Sequence, residues 1–184
     1  MIREFHLGHK STKNGYWTSF ENDPYHSTLK KTIRYRCTPC IENLYRQLID
    51  GRNEIQLDSA LNCWKVVAVL NSEVECLQLL SSYQEKFLPY RNVRGRFGSK
   101  EAEGTKAIVI NADTEKDRNG LLLELRECAK EINLDSHIFY SRGCAYLFEE
   151  LLGDWHEWKR VMPIKYPEKI EEVIERIRKA LEIS

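Results

Sequence analysis

A short segment in the middle of the chain constrains the fold more than any other part of the sequence. Residues 106–113 are Lys-Ala-Ile-Val-Ile-Asn-Ala-Asp, with four consecutive apolar residues, which are too few for a helix. Residues 64–70, Trp-Lys-Val-Val-Ala-Val-Leu, form a second run of this kind. A short, continuously apolar run that is bounded by polar residues is typical of a strand buried on both faces. The sequence therefore predicts a sheet with these two segments at its centre and with cover on both sides.

Each of the two predicted strands is followed by a helical pattern that begins at a capping residue. Ser72 and Thr114 each have an acidic residue three positions later, which is the spacing of a helix N-terminus. Residues 90–99 are predicted as an edge strand, and residues 137–140 as a further short strand. The order strand, helix, strand, strand, helix, strand over residues 64–140 is the split βαβ pattern of ferredoxin-like folds. We therefore predict an α+β protein with a ferredoxin-like core.

Two further parts of the chain flank this predicted core. Strand patterns lie on either side of Asn14-Gly15, a dipeptide that favours a tight β-hairpin because both residues tolerate positive φ. Helical patterns follow the core towards the C-terminus. We therefore predict an N-terminal β-hairpin and helix unit over residues 1–63, packed on the core. Residues 64–184 are predicted to hold the ferredoxin-like core and its C-terminal helical extension.

The composition and the hydropathy pattern exclude several classes of protein. Hydrophobic residues make up 42% and charged residues 30% of the chain, as in soluble globular proteins. No apolar run approaches the roughly 20 residues of a membrane-spanning helix, and no signal-peptide pattern is present. We therefore expect a cytoplasmic protein without a membrane partner. In that compartment its six Cys residues are expected to be thiols or metal ligands rather than disulfides.

Basic and aromatic residues cluster in two segments, although the net charge of the chain is zero. Cationic and aromatic side chains together suit a phosphate backbone with stacked bases. We therefore predict contact with nucleic acid or another phosphate-bearing ligand. The alternative is that these are solvent-exposed edge-strand residues, whose charge blocks edge-to-edge pairing. The candidate nucleic-acid or phosphate-binding residues are Lys30, Lys31, Arg34, Arg36, Arg91, Arg94, Arg96 and Arg142.

The best candidate for thiol chemistry is the C-x-x-C sequence Cys37-Thr38-Pro39-Cys40. A strand pattern over residues 29–36 precedes it, and an N-capping Thr followed by Pro predicts that a helix begins there. These four residues and the following helix resemble the redox motif of thioredoxin-like proteins. The resemblance implies thiol–disulfide exchange, in which a helix N-terminus lowers the pKa of a thiol.

The same cysteine pair is a candidate half of a zinc site. His6 and His9 lie upstream on the first predicted strand, and two thiolates with two imidazoles would complete a tetrahedral zinc site. Cys37, Cys40, His6 and His9 are therefore the metal or redox candidates, with zinc as the cofactor. The alternative is that both cysteines are reduced thiols that bind nothing.

Three functions are consistent with these patterns, and no complete catalytic constellation selects an enzyme. The first is a non-enzymatic binding protein that contacts nucleic acid or another phosphate-bearing partner through basic and aromatic surfaces. The second is a thiol-redox or zinc-binding protein that acts through Cys37 and Cys40. The third is a homodimeric regulatory domain that binds a small molecule, because a second subunit would cover the sheet face that is expected to be buried.

Overall fold

The computed structural model describes residues 5–11, 15–22, 26–88, 92–101, 104–143 and 145–181. The chain contains both helices and antiparallel strands, which confirms the α+β class. The strands are β1 (His6–Ser11), β2 (Tyr16–Glu21), β3 (Glu54–Gln56), β4 (Trp64–Leu70), β5 (Arg94–Ser99), β6 (Lys106–Ala112), β7 (His137–Arg142) and β8 (Val161–Pro163). The helices are α1 (His26–Ile49), α2 (Glu73–Phe87), α3 (Glu115–Glu131), α4 (Ala145–Leu152) and α5 (Ile170–Leu181).

The chain forms two compact units, and each of them is built from two separate stretches of sequence. The first unit takes its described residues from 1–26 and 64–141, and the second takes them from 27–63 and 142–184. The chain leaves the first unit after residue 26, returns to it at residue 64 and leaves it again after residue 141. The N-terminal hairpin therefore belongs with β4 to β7, whereas α1 belongs with α4 and α5.

A six-stranded sheet organises the first unit, in the order β1-β2-β5-β6-β4-β7. The two strands predicted to be central, β4 and β6, are antiparallel neighbours, with Val67 opposite Val109. The predicted hairpin of β1 and β2 is confirmed as an antiparallel pair, although its turn at residues 12–14 lies outside the described residues. The prediction that β5 is an edge strand is wrong. The hairpin extends the sheet on that side, and β2 pairs with β5, with Ser19 opposite Arg96.

Helices α2 and α3 pack on one face of this sheet. Alternate side chains of the central strands point to this face and are fully buried, among them Val66 and Ile110, together with Leu79 of α2 and Leu125 of α3. This alternation produces the core of the first unit, because successive side chains of a strand point to opposite faces.

Both helices begin at the caps that the sequence predicts. The Ser72 hydroxyl accepts a hydrogen bond of 3.2 Å from the Glu75 amide, and the Thr114 hydroxyl accepts one of 3.1 Å from the Asp117 amide. Each bond satisfies an amide in the first turn that has no partner within the helix. The helix starts are therefore set by local interactions.

The second unit is organised around apolar side chains of α1, α4 and α5. β3 and β8 pair antiparallel beside them as a two-stranded sheet, with Ile55 opposite Met162. The buried amide of Gln47 donates to the carbonyl of Gln56 at 3.1 Å and accepts from its backbone amide at 2.7 Å, so β3 is held on both sides. The central buried residues are Leu44, Leu48, Phe148, Leu151, Val173 and Ile177.

Helix α1 differs most from the prediction. Residues 29–36, predicted as a strand, are helical, and α1 continues past Pro39 to Ile49. Cys37 and Cys40 therefore lie inside a helix rather than at its N-terminus. The apolar residues of the 29–36 segment also belong to a longer pattern, with steps of three and four residues, that continues to Leu48. The longer pattern is that of a helix, and a helix forms. Within the described ranges, no helix is both long and apolar enough to cross a bilayer.

Candidate nucleic-acid interface

One face of the sheet of the first unit packs against α2 and α3, and we call the opposite face the second face. The apolar central strands predict complete cover here as well, which argues against a binding surface on this face, and this prediction holds only in part. Val67 is 8% exposed, but its neighbours Val69 and Val109 are half-buried, and Arg96 is exposed. The polar and aromatic side chains of this face include Trp17, Ser19, Lys65, Arg94, Arg96, Asn111, His137 and Phe139.

An arginine stacked on a tryptophan is the most distinctive contact of the second face. The guanidinium carbon of Arg96 lies 4.4 Å from the ring centroid of Trp17. The two residues come from neighbouring strands, and Trp17 is opposite Gly98, so no side chain at that position separates them. A cation–π contact orders a long side chain and leaves its positive charge in place. The site therefore presents a planar cation on an aromatic ring.

Arg94, the other described arginine of β5, has a structural role. Its guanidinium donates to the Asp113 carboxylate at 2.8 Å, and its side chain is only 18% exposed. Its register partner on β2 is Glu21, which is buried. The charge of Arg94 is therefore offset by the Asp113 carboxylate. Arg91, the third predicted residue of this group, lies outside the described residues.

The opposite side of the second face carries a lysine and two rings. Lys65 of β4 is half-buried, and Phe139 of the edge strand β7 is 37% exposed. The ring centroid of His137 lies 5.1 Å from that of Phe139. Sequence reasoning did not select these residues or Trp17, because their common face follows only from the strand order.

The two glycines of β5 are explained by packing inside the sheet. A Cβ atom at Gly98 would overlap the backbone carbonyl of Tyr16, and one at Gly95 would overlap the carbonyl of Val109. Gly98 also has a φ of +139°, which other residues rarely adopt. The glycines therefore do not require a ligand backbone nearby to explain them.

The remaining predicted phosphate-binding residues belong to the second unit. Lys30, Lys31, Arg34 and Arg36 lie on α1, and their side chains are outside the described set. The Arg142 guanidinium donates to the Leu61 carbonyl and lies over the ring of Trp155, with 5.9 Å to the ring centroid. Arg142 therefore connects segments of the second unit.

The metal and redox candidates do not form a described site. His6 belongs to the first unit and Cys40 to the second, where Cys40 packs against the apolar cluster. The side chains of His9 and Cys37 lie outside the described residues. Among the side chains that the structure describes, no three His, Cys, Asp or Glu residues form a group that could hold a metal ion. The helix-start argument for a lowered thiol pKa does not apply, because Cys37 and Cys40 are within α1.

We expect two buried thiols of the first unit to resist alkylation in the folded protein. Burial, reinforced by the charges of Glu73 and Glu75, raises the pKa of the Cys76 thiol to about 12. Burial also raises the pKa of Cys128. At pH 8 the reactive thiolate fraction of Cys76 is thus roughly a thousandfold below that of an ordinary thiol.

Peptide mass spectrometry after iodoacetamide treatment measures this directly. Cys76 and Cys128 should be labelled only after unfolding in urea, whereas the half-buried Cys40 serves as the comparison thiol in the same digest. Labelling of Cys76 in the folded protein as fast as that of Cys40 would contradict the expectation.

No protein-family model, curated protein or solved structure matches this chain. The function is therefore inferred from the geometry of the second face.

Proposed function

We propose that this protein is a non-enzymatic nucleic-acid-binding protein whose second face contacts phosphates and bases. The observation that carries the proposal is the stacked pair of Arg96 and Trp17 on two interior strands of the sheet. A guanidinium binds phosphate oxygens through its N–H groups, and both the guanidinium plane and the indole ring can stack on a base.

The position of β5 argues against the alternative explanation of its arginines. Charged residues on edge strands prevent sheets from pairing with one another. β5 lies between β2 and β6, where both of its edges are already paired. An exposed Arg96 at an interior position therefore has no edge to protect, and a binding role accounts for it better.

The charges of the second face also favour an anionic ligand. Arg96 is opposite Val109 on β6, and Lys65 lies two residues before Val67 on β4, opposite Asn111, so both cations lie near the middle of the sheet. The negative groups Glu21 and Asp113 are, respectively, buried and engaged with Arg94. Phosphate contacts supply much of the affinity of nucleic-acid-binding proteins, and aromatic stacking adds about 1–3 kcal/mol per base.

We also propose that β4, α2, β5, β6, α3 and β7 form a ferredoxin-like split βαβ unit to which the N-terminal hairpin adds two strands. The order β5-β6-β4-β7 within the larger sheet and the packing of α2 and α3 on one face support this proposal. RNA-recognition domains of that architecture use the face without helices, where aromatic side chains stack on bases. The second face is the corresponding surface of this protein.

Fluorescence anisotropy with labelled single-stranded RNA and DNA tests the proposal. We expect binding at about 50 mM salt that weakens roughly tenfold by about 200 mM, as for a few phosphate contacts. Arg96→Ala should weaken binding about tenfold at the lower salt concentration, because it removes a phosphate contact and a stacking surface.

Lys130→Ala is the matched control for this experiment. Lys130 is exposed on α3, on the other side of the sheet, and its replacement makes the same change in charge. The affinity of Lys130→Ala for the nucleic acids should stay within about twofold of the wild type, because a distant surface charge is screened by salt. Failure of both nucleic acids to bind at low salt, or equal losses in the two variants, would refute the proposal.

A further inference from the structure

We infer that the ligand is an unpaired nucleic-acid segment that lies across the strands and reaches two aromatic side chains, Trp17 on β2 and Phe139 on β7. This inference rests on the proposed function and specifies the form of its ligand. Both aromatic residues belong to the second face, and the strands that carry them are separated by β5, β6 and β4.

The strand register follows the second face from Trp17 as far as β4, the neighbour of β7. From Trp17 the cross-strand neighbours are Gly98 on β5, Ala107 on β6 and Val69 on β4. Gly98 has no side chain and is buried, and Ala107 has a small, half-buried one, so small apolar residues lie between the Trp17 ring and β4. Arg96 borders this path from the next row of the sheet, with its guanidinium over the Trp17 ring.

The next row of side chains on the second face also favours a ligand that lies across the strands. Ser19, Arg96, Val109 and Val67 are cross-strand neighbours in that order. The cation therefore lies near the Trp17 side, and two valines occupy the middle of the sheet. Lys65 belongs to the following row, opposite Asn111, and its strand β4 is the neighbour of β7, so a second cation lies on the Phe139 side of the sheet. Alternation of cations with flat apolar surface matches a chain in which phosphates alternate with bases and sugars.

The requirement for unpaired bases follows from how the rings are presented. Trp17 and Phe139 can stack only on the flat side of a base, which a duplex hides between neighbouring base pairs. A sheet face also has no projecting helix or ribbon that could enter a groove. Single-stranded RNA and DNA both offer the required chemistry, and both are therefore included in the test.

The distance across the strands sets a minimum length for the ligand. Four inter-strand steps of about 4.8 Å separate β2 from β7, or about 19 Å. Successive nucleotides advance about 3.4 Å when they are stacked and about twice that in an extended chain, so roughly four to six nucleotides connect the two rings. Shorter oligonucleotides reach only one of them.

A length series of single-stranded oligo-U and oligo-dT, from about two to about twelve nucleotides, tests this inference by anisotropy competition. We expect affinity to rise at least tenfold between about three and about six nucleotides and then to level off, because the second stacking contact becomes available. Phe139→Ala should abolish this rise and leave the affinity of the shortest ligands within about twofold. A duplex of equal length should bind at least tenfold more weakly than the single strand.

Two further variants distinguish the loss of a stacking contact from a loss of folding. Phe139→Leu retains apolar bulk on β7 without a stacking plane and should behave like Phe139→Ala. Leu123→Ala removes an exposed apolar side chain from α3 on the other side of the sheet and should keep the rise. Binding without any length step, an unchanged rise in Phe139→Leu, or equal affinity for duplex would overturn this inference and leave the proposed function intact. Absence of binding at every length would instead refute the proposed function.

Discussion

Replacing Gly98 by alanine is expected to lower the free energy of unfolding by about 4 kcal/mol. The backbone at Gly98 has a φ of +139°, a conformation that costs an L-residue roughly 1–3 kcal/mol. A Cβ atom there would also overlap the backbone carbonyl of Tyr16, and overpacking of this kind costs roughly 1–3 kcal/mol. Both costs arise at the junction of β2 and β5, which must separate or distort to accept the methyl group. Urea denaturation followed by circular dichroism measures the change.

Gly104→Ala separates the two causes. Gly104 also has a positive φ, +97°, but a Cβ atom there would meet nothing within 4 Å. Only the conformational cost remains, so we expect a loss of about 1–2 kcal/mol. If Gly98→Ala cost no more than Gly104→Ala, the close approach of β2 to β5 would not limit substitution at this position.

Arg118→Ala is expected to destabilise the protein by about 3 kcal/mol. Arg118 is 7% exposed on α3, and its guanidinium carbon lies 4.1 Å from the ring centroid of Trp64 and 4.2 Å from that of Tyr140. Its nitrogens also donate to the side-chain oxygen of Asn119 at 3.1 and 2.9 Å. Truncation removes two cation–π contacts, worth about 1 kcal/mol each, and leaves a cavity beside two rings. Urea denaturation should show the loss, and tryptophan emission should shift to the red as water approaches Trp64.

Two companion variants distinguish packing from charge at this position. Arg118→Met keeps much of the volume but no charge, and we expect it to lose about half as much stability as Arg118→Ala, because apolar replacements of buried charges are tolerated. Lys116→Ala, an exposed change on the same helix, should stay within about 0.5 kcal/mol of the wild type. Equal stabilities of Arg118→Ala and Lys116→Ala would show that the contact between the three side chains contributes nothing.

Local signals in the sequence were sufficient to predict many of the helices and strands of the first unit. The apolar runs of β4 and β6, the caps at Ser72 and Thr114 and the hairpin signal at Asn14-Gly15 each depend on residues close together in the chain. In such cases propensity, capping and packing favour the same structure. These elements therefore form where the sequence predicts them.

The errors came from interactions that a local pattern does not contain. The position of β5 inside the sheet depends on β2, which precedes it by more than seventy residues in the chain. The helical state of residues 29–36 depends on a pattern that continues past Pro39, a residue that favours a helix start when only its neighbours are considered. The same limitation applies to the second face. The sequence indicated Arg94 and Arg96, but Trp17, Lys65 and Phe139 join Arg96 only through the order of the strands.

The pairing of β2 with β5 also affects when the proposed binding surface forms. Ser19 and Arg96 are register partners, yet the intervening chain contains α1, β3, β4 and α2. Closing so long a loop costs conformational entropy before any contact compensates for it, so contacts of this kind form late in folding. We therefore expect the stack of Arg96 on Trp17 to form among the last contacts of the sheet. A ligand that bound this pair would bind only the folded sheet, and it would therefore stabilise the folded protein by mass action.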